Sequence, residues 1–96
     1  MNIKNIITVI TLHDHERRKI KKQYLLTKNG TIYTSDPELT YIANNIAKEE
    51  LGYTGKELLE NYNKDCLEIF SSKHGIIILD DSILSSVLKN SVLLEG

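Results

Sequence analysis

Hydrophobic and polar residues alternate along the first third of the chain, a pattern that predicts β-strands. The first predicted strand, Ile3 to Leu12, is apolar on both of its faces. Its apolar residues are Ile6, Ile10 and Leu12 on one face and Ile7 and Val9 on the other. A strand of this kind is covered by the fold on both sides, or its second face meets a partner.

A hairpin is predicted next. The segment from Ile20 to Thr27 alternates again, and Asn29-Gly30 separates it from a third β-rich segment. An Asn-Gly pair favours a two-residue type I′ turn, because both central residues need a positive φ. With this turn Leu26 faces Tyr33, so Tyr24, Leu26 and Tyr33 share one face. The first third of the chain is therefore predicted to be a three-stranded antiparallel meander.

The period changes to that of a helix in the middle of the chain. Ser35 and Glu38 have the spacing of a capping box, and Gly52 stands where a helix C′ glycine belongs. A second capping box at Thr54 and Glu57 predicts another helix directly after the first. The predicted apolar stripes are Leu39, Ile42, Ala43, Ile46, Ala47 and Leu51 on the first helix, and Leu58, Leu59, Tyr62, Cys66, Ile69 and Phe70 on the second.

The last quarter of the chain predicts one further strand and one further helix. Ser71 to Gly75 is expected to be a loop, and the uniformly apolar run Ile76 to Leu79 is typical of a buried central strand. Asp80 or Asp81 then supplies an N-cap, because a carboxylate accepts from the free N–H groups of a first helical turn. The residues of the last helix expected to face inward are Ile83, Leu84, Val87, Leu88 and Leu94.

These elements have the order βββααβα. The order predicts a two-layer α+β domain, in which an antiparallel meander plus one later strand form the sheet and the helices pack on it. The 96 residues suffice for one hydrophobic core, so residues 1–96 are expected to be a single domain.

The composition is that of a soluble globular protein, with 41% hydrophobic and 26% charged residues. No apolar run approaches the roughly 18 residues of a membrane span, and the N-terminal residues lack a secretory pattern. With one cysteine the chain forms no internal disulfide. Together these features predict a cytoplasmic protein that does not bind a membrane.

The net charge of −1 hides an asymmetry along the chain. Residues 1–30 contain seven Lys and Arg against two acids, a net +5. Residues 31–96 contain five Lys against eleven acids, a net −6. Segments of opposite sign attract each other within a fold, attract each other between copies, or attract partners of opposite charge.

The positive charge is concentrated in the stretch HDHERRKIKK, His13 to Lys22. If the stretch binds nucleic acid, its contacts to phosphate are Arg17, Arg18, Lys19, Lys21 and Lys22. If it is a solvated hairpin connection, the same charges discourage the sheet from pairing with other chains. We rank the second interpretation first, because the rest of the chain is acidic and no aromatic residue interrupts the run.

The candidate chemistry elsewhere is sparse. His13 and His15 share one face of a strand, but a transition-metal site needs at least three converging ligands, so no metal is predicted. Cys66 lies within an apolar stripe, which favours a buried thiol over a nucleophile. Phosphate-binding loops, nucleophile elbows and paired CxxC motifs are absent from the sequence. We therefore expect neither catalysis nor a cofactor.

One stretch resembles a known family. NNIAKEELGYTGKELLEN is similar to the helical region of PAS sensory domains, which often reads Asn-x-Ala-x-x-x-Leu-Gly-Tyr-Thr/Ser-x-x-Glu-Leu-Leu-Gly. The matching residues are Asn45, Ala47, Leu51, Gly52, Tyr53, Thr54, Glu57, Leu58 and Leu59, while Glu60 stands where the family has glycine. The resemblance implies that LLTKNGTIYT forms the first PAS hairpin, that a long helix and three strands follow Phe70, and that a ligand cavity lies under Tyr53 and Phe70.

These observations favour a small, non-catalytic cytoplasmic interaction protein, a regulator or inhibitor that binds a larger macromolecule, in the first place another protein. The first helix is expected to expose Tyr41 amid charged residues, and an exposed tyrosine is a typical interface anchor. The predicted partner surface consists of Glu38, Tyr41, Lys48, Glu49, Lys56 and Glu60. Two alternatives stay open: a nucleic-acid-binding accessory protein that uses Arg17 to Lys22, and a PAS-like ligand-sensing module.

Self-association is a further expectation. If the helices cover only one face of the sheet fully, Ile7 and Val9 form an exposed apolar patch, and such patches commonly mark interfaces. The opposite charges of the two segments would orient a symmetric homodimer, in which the basic strand of each copy meets the acidic helices of the other.

Overall fold

The fold is a five-stranded antiparallel sheet with short helices, in the α+β class. The computed structural model describes residues 5–34, 44–62 and 68–89. Its elements are β1 (Ile6–His13), β2 (Ile20–Thr27), β3 (Ile32–Thr34), α1 (Asn44–Leu51), α2 (Gly55–Glu60), β4 (Glu68–Ser72), β5 (Gly75–Asp80) and α3 (Leu84–Lys89). The strands lie in the order β3-β2-β1-β5-β4, and every neighbouring pair is antiparallel.

Several predicted positions lie outside the described residues, namely Ile3, Ser35, Glu38, Leu39, Tyr41, Ile42, Ala43, Cys66 and Leu94. Among the helices that the structure describes, none is long and apolar enough to cross a lipid bilayer.

β1 is the central strand, and it is buried on both faces. On one face a core cluster joins the sheet to Leu51 of α1 and Leu58 of α2. Its strand residues are Ile10, Leu12, Tyr24, Leu26, Ile32, Ile77 and Leu79. On the other face a second cluster forms near α3 from Ile6, Val9, Leu25, Tyr33, Ile83, Leu84 and Val87. Helices therefore pack on both faces of the sheet, whereas the predicted two-layer arrangement had one helical layer.

A β-bulge near the start of β1 exchanges the faces of its first residues. The pairing with β2 shifts between Ile6 and Thr8, and an inserted residue breaks the alternation of a strand. Ile6 consequently packs with Val9, and Ile7 packs against the cluster of Ile10. The predicted faces of Ile6 and Ile7 were wrong for this reason.

The hairpin between β2 and β3 forms with a register that differs by one residue from the predicted one. Leu25 pairs with Tyr33, and Leu26 pairs with Ile32. A shift of one residue carries a side chain to the opposite face of a sheet. Tyr33 thus packs beside Leu25 on the α3 side, and Ile32 takes the position beside Leu26 that the sequence had assigned to Tyr33.

The shift originates in the turn, which contains three residues rather than two. Thr27 N–H donates to the Thr31 carbonyl (3.0 Å), and the Thr27 hydroxyl accepts from Thr31 N–H (3.1 Å). Within this turn Gly30 alone has a positive φ, 83°, as a three-residue hairpin loop requires. A type I′ turn would need a positive φ at Asn29 too. The bonds of Thr27 favour the longer loop instead.

Capping signals predicted helix boundaries that the structure confirms. α1 ends at Leu51, and Gly52 follows with a φ of 79°. Thr54 caps α2 with both bonds of a capping box, because Glu57 N–H donates to its hydroxyl (3.1 Å) and Thr54 N–H donates to the Glu57 carboxylate (3.0 Å). These bonds lower the pKa of Glu57.

A fourth strand replaces the predicted second half of α2. The helix ends at Glu60, and Ile69 and Phe70 belong to β4, so their assignment to the helical stripe was wrong. The two-residue turn Lys73-His74 joins β4 to β5 inside the segment that was predicted as a loop. A short apolar run fits both the helical and the strand period, and spacing alone therefore misassigned these residues.

β5 contains the apolar run that was predicted to be an interior strand, and it lies between β1 and β4. Only Ile77 and Leu79 in this run are fully buried, in the cluster of α1 and α2. Ile76 and Ile78 are half-buried on the other face. The uniformly apolar sequence therefore predicted the interior position of the strand correctly and overstated the burial of one face.

Asp80 at the end of β5 and Asp81 directly after it form bonds in front of α3 and do not cap its first turn. The helix begins at Leu84, whereas the Asp80 carboxylate accepts from Ser82 N–H (2.8 Å). The Asp81 carboxylate accepts from the Tyr62 hydroxyl. Burial, together with this bond and the charge of Asp81, raises the pKa of Tyr62 to about 12.

We predict that Gly55→Ala destabilises the fold where α2 meets the β2–β3 turn. A Cβ at Gly55 would overlap the Gly30 carbonyl oxygen, so the helix or the turn must move, at a cost of about 1 to 3 kcal/mol. Gly52→Asn is the control, because a Cβ there meets only Ser72, at 3.7 Å, and asparagine tolerates its positive φ. Equilibrium urea unfolding measures both variants, and equal midpoints would contradict the prediction.

Candidate functional site

The connection between β1 and β2, residues 14–19, is an exposed turn folded around Asp14. Asp14 N–H donates to the Lys19 carbonyl (3.0 Å), and Arg17 N–H donates to the Asp14 carbonyl (3.0 Å). The Asp14 carboxylate accepts from Arg18 N–H (2.8 Å). The stretch joins two antiparallel strands, whether it also contacts a partner stays a prediction, and the acid within it fixes the shape of the basic stretch.

Arg17 has a left-handed backbone conformation, with a φ of 61°. This conformation costs a residue with a Cβ about 1 to 2 kcal/mol, whereas glycine adopts it freely. The Arg17 side chain is exposed and forms no ion pair with the described residues. Folding alone therefore does not account for an arginine here, and strained residues of this kind cluster at binding sites.

A second basic segment lies at the same end of the sheet. Because β1 and β5 are antiparallel, the end of β1 pairs with the start of β5, and the β4–β5 turn adjoins the β1–β2 connection. Two contacts join the β4–β5 turn to the β1–β2 connection and to the start of β2. Lys21 Nζ donates to the His74 carbonyl (3.0 Å), and His15 Nε2 lies 3.3 Å from the Lys73 carbonyl oxygen.

We call this surface the basic end. It consists of His15, Arg17, Arg18, Lys19, Lys21, Lys22, Lys73 and His74. Arg18 forms an exposed ion pair with Glu16, and Lys22 forms a half-buried ion pair with Glu50 (3.0 Å). The cations without an acidic partner among the described residues are Arg17, Lys19, Lys21 and Lys73. The basic end thus has a local excess of positive charge, although the whole chain is slightly acidic.

An open cleft of about 670 Å³ adjoins the basic end. Its lining residues are Leu12, Lys21, Lys22, Glu49, Glu50, Lys73 and His74. Lys22 holds α1 at one side of the cleft, because its Nζ lies 3.0 Å from Glu50 Oε1 and 5.6 Å from the ring centre of Tyr24. Both signs of charge line the cleft, so an anion would be attracted by the turns and repelled by α1.

The residues of the partner surface that was predicted on the helices do not lie together in the described structure. Glu38 and Tyr41 lie outside the described residues, and the exposed members of the set are Lys48, Glu49, Lys56 and Glu60. Glu49 lines the cleft at the start of β2, whereas Lys56 packs on Gly30 at the other end of that strand. No feature of the described residues unites this set into one docking site, and the surface stays a prediction.

The residues predicted for self-association are largely covered. Val9 has no exposed surface, because it packs against the α3 region, and Ile7 is half-buried. A contact between copies through Val9 would require α3 to move. Among the described residues the exposed large apolar side chains lie elsewhere, with Ile20 52% and Ile69 46% exposed.

His13 and His15, which were weighed as a pair of metal ligands, have different surroundings in the fold. His15 contacts the β4–β5 turn, whereas His13 Nδ1 is buried without a hydrogen-bond partner. No three His, Cys, Asp or Glu side chains converge as metal ligands in the described part of the chain.

Lys73 and His74 are the members of the basic end that sequence analysis missed. A signal for their turn existed, since two polar residues between EIFSS and GIIIL are typical of a β-hairpin. Their position beside the β1–β2 connection depends on the pairing of β5 with β1, which no local pattern predicts.

The PAS resemblance implied a cavity under Tyr53 and Phe70. These two rings instead pack against each other on the core, with centres 5.3 Å apart and planes at 59°. The Tyr53 hydroxyl donates to the Ser71 carbonyl (3.1 Å). The implied hairpin is present as β2–β3, but of the three strands implied after Phe70 the described residues contain one, β5.

No protein-family model matches the chain, and neither does any curated protein or solved structure.

We predict that Arg17→Gly is more stable than Arg17→Ala by about 0.5 to 1 kcal/mol, because glycine relieves the strain at the cost of a more flexible unfolded chain. Both variants lose the same charge, so their difference isolates the backbone conformation. Urea unfolding measures it. Equal stabilities would mean that the turn is unstrained and would remove strain as an argument for binding at Arg17.

Proposed function

We propose that this chain is a small, non-catalytic cytoplasmic protein, a regulator that binds a larger macromolecule, and that the macromolecule is a nucleic acid held at the basic end. One observation carries the proposal, namely the convergence of two basic segments on one end of the sheet. Lys21 and His74, which are in hydrogen-bond contact, are 53 residues apart in the sequence.

The chemistry of the basic end suits a phosphate backbone. Arginine and lysine are the side chains that most often contact phosphate oxygens, and four cations here lack an acidic partner among the described residues. A protein interface usually has an apolar or aromatic centre, but next to the basic end Ile20 is the one large apolar side chain among the described residues that is mainly exposed. Charge would therefore supply most of the binding free energy, as in sequence-independent nucleic-acid binding.

A membrane surface is a less suitable partner for the same charges. Stable attachment to a bilayer needs buried apolar groups in addition to a basic patch, and a single isoleucine provides little apolar area. The cleft, which both lysines and glutamates line, also favours a narrow anionic chain over a flat anionic surface. A broad anionic partner would face Glu49 and Glu50 and be repelled by them.

The unpaired cations determine how strongly affinity should depend on salt. Each phosphate contact on a DNA duplex contributes a slope of about −0.9 to the logarithm of affinity against the logarithm of salt concentration. Contacts by Arg17, Lys19, Lys21 and Lys73 together give a slope of about −3.6. Dissociation constants of about 1 to 100 μM at physiological salt are typical of binding of this kind.

We predict that Lys21→Glu/Lys73→Glu lowers the affinity for a short DNA duplex by about tenfold or more and weakens the salt slope by about 1.8. Lys28→Glu/Lys56→Glu is the matched control, because it changes the net charge equally at exposed residues near the other end of β2. The control should retain the affinity of the parent within about twofold. Fluorescence anisotropy of a labelled duplex, repeated over a series of salt concentrations, measures both.

Three outcomes would contradict this function. The first is that the parent protein binds neither a duplex nor a single strand at low salt. The second is that both double variants lose the same affinity, because binding then follows net charge alone. A higher affinity for anionic phospholipid vesicles than for the duplex at equal salt would assign the basic end to a membrane surface instead.

A further inference from the structure

β4 is the longer of the two edge strands in the described part of the sheet. The strand order leaves β3 and β4 at the edges. β3 has three residues, whereas β4 has five, and it pairs with β5 without a bulge. Proteins commonly block edge strands with a proline, a lysine or a bulge inside the strand, and the sequence EIFSS contains neither of these residues. Among the described strands none pairs with the outer side of β4.

The turn after β4 determines which backbone groups point outward. In a two-residue hairpin the residues that flank the turn, here Ser72 and Gly75, exchange backbone hydrogen bonds, and bonded and non-bonded pairs alternate from there. Ile69 and Ser71 are therefore in non-bonded pairs, and their N–H and C=O groups point away from β5. The bond from the Tyr53 hydroxyl to the Ser71 carbonyl is consistent with this direction. A carbonyl oxygen accepts two bonds, so Ser71 keeps an acceptor site.

Ile69 adds an apolar side chain to this edge. It is 46% exposed, and in the pleat of the sheet it shares a face with Ile76 and Ile78. None of the three belongs to either core cluster. A further strand beside β4 would remove the Ile69 side chain from water, which favours association.

We propose that two copies of this chain pair antiparallel through β4 and form one continuous sheet. When the outward groups of Ile69 bond to those of Ser71 in the second copy, the two-fold axis lies at Phe70. The two Phe70 rings are then direct cross-strand neighbours. Glu68 lies opposite the second copy's Ser72 and within reach of the second copy's Lys73, and symmetry repeats this contact at the other end.

Charge complementarity is the reason why a second copy is the partner. An antiparallel strand that fits β4 needs a cation within reach of Glu68 and an acid within reach of Lys73. β4 and its turn supply both groups, and neither one has an ion pair among the described residues. Opposite charges across paired strands stabilise the pair, and like charges destabilise it. The homodimer thus forms through β4 instead of Ile7 and Val9, and it requires no nucleic acid to form.

We predict that sedimentation velocity of the full chain, without nucleic acid, detects a dimer whose fraction rises with concentration. Ser71→Pro should abolish the dimer, because it removes the outward N–H group. The monomer accommodates proline there, since that N–H makes no bond to β5. Ser71→Ala is the matched control and keeps the dimer. Circular dichroism verifies that both variants are folded.

Two charge variants test the register itself. Glu68→Lys and Lys73→Glu each bring like charges together at both ends of the paired strands, so each alone should weaken the dimer about tenfold or more. Mixed in equal amounts, the two variants are complementary at both contacts and should form a heterodimer with the affinity of the parent. The double variant Glu68→Lys/Lys73→Glu should likewise regain the homodimer.

A parent protein that sediments as a monomer at every concentration overturns the proposal. A dimer that persists in folded Ser71→Pro, or one that the charge variants leave unchanged, overturns it too, because the interface then lies elsewhere. Ser71 is not part of the basic end, so anisotropy with Ser71→Pro keeps the failure of this inference distinguishable from the failure of nucleic-acid binding.

Discussion

β1 lies between β2 and β5 and runs antiparallel to both, and this arrangement determines which turns meet. Because both neighbours begin where β1 ends, the β1–β2 connection and the β4–β5 turn share one end of the sheet. Burial of β1 on both faces holds the pairing in place, with Val9 and Ile10 fully enclosed on opposite sides. The cations of the two turns are thus brought together by an apolar strand, against their own mutual repulsion.

The backbone strain at Arg17 and the repulsion among the cations both occur at the basic end. A turn selected only for stability would have glycine or asparagine at Arg17 and fewer cations around it. The Asp14 carboxylate offsets part of this cost, since it accepts a backbone bond and carries a negative charge amid the cations. The buried core tolerates the remainder. Backbone strain and charge repulsion that the rest of the fold offsets are concentrated at the binding sites of proteins. Their coincidence at the basic end therefore supports binding there more strongly than the positive charge alone does.

Local chemistry could be predicted from the sequence, and long-range pairing could not. The capping box at Thr54 and the C′ glycine at Gly52 depend on residues within one helical turn, and both were predicted correctly. The β2–β3 register failed because the Thr27 hydroxyl holds a longer turn than the Asn-Gly pair predicts. The basic stretch was recognised as a candidate, but Lys73 was missed, because its position depends on the pairing of β1 with β5, 60 or more residues apart in the chain.

Lys73 belongs to both of the proposed surfaces, and a coupling between them follows. In the antiparallel pair the two β4–β5 turns lie at opposite ends of the joined strands, so one short duplex would reach only one basic end. The second copy's Glu68 beside Lys73 would also lower the positive potential that a phosphate meets. Linkage requires the converse, that a phosphate on Lys73 weakens the dimer by the same factor. The loss would be modest, because Arg17, Lys19 and Lys21 lie across the end of the sheet from β4 and keep their charge in either state.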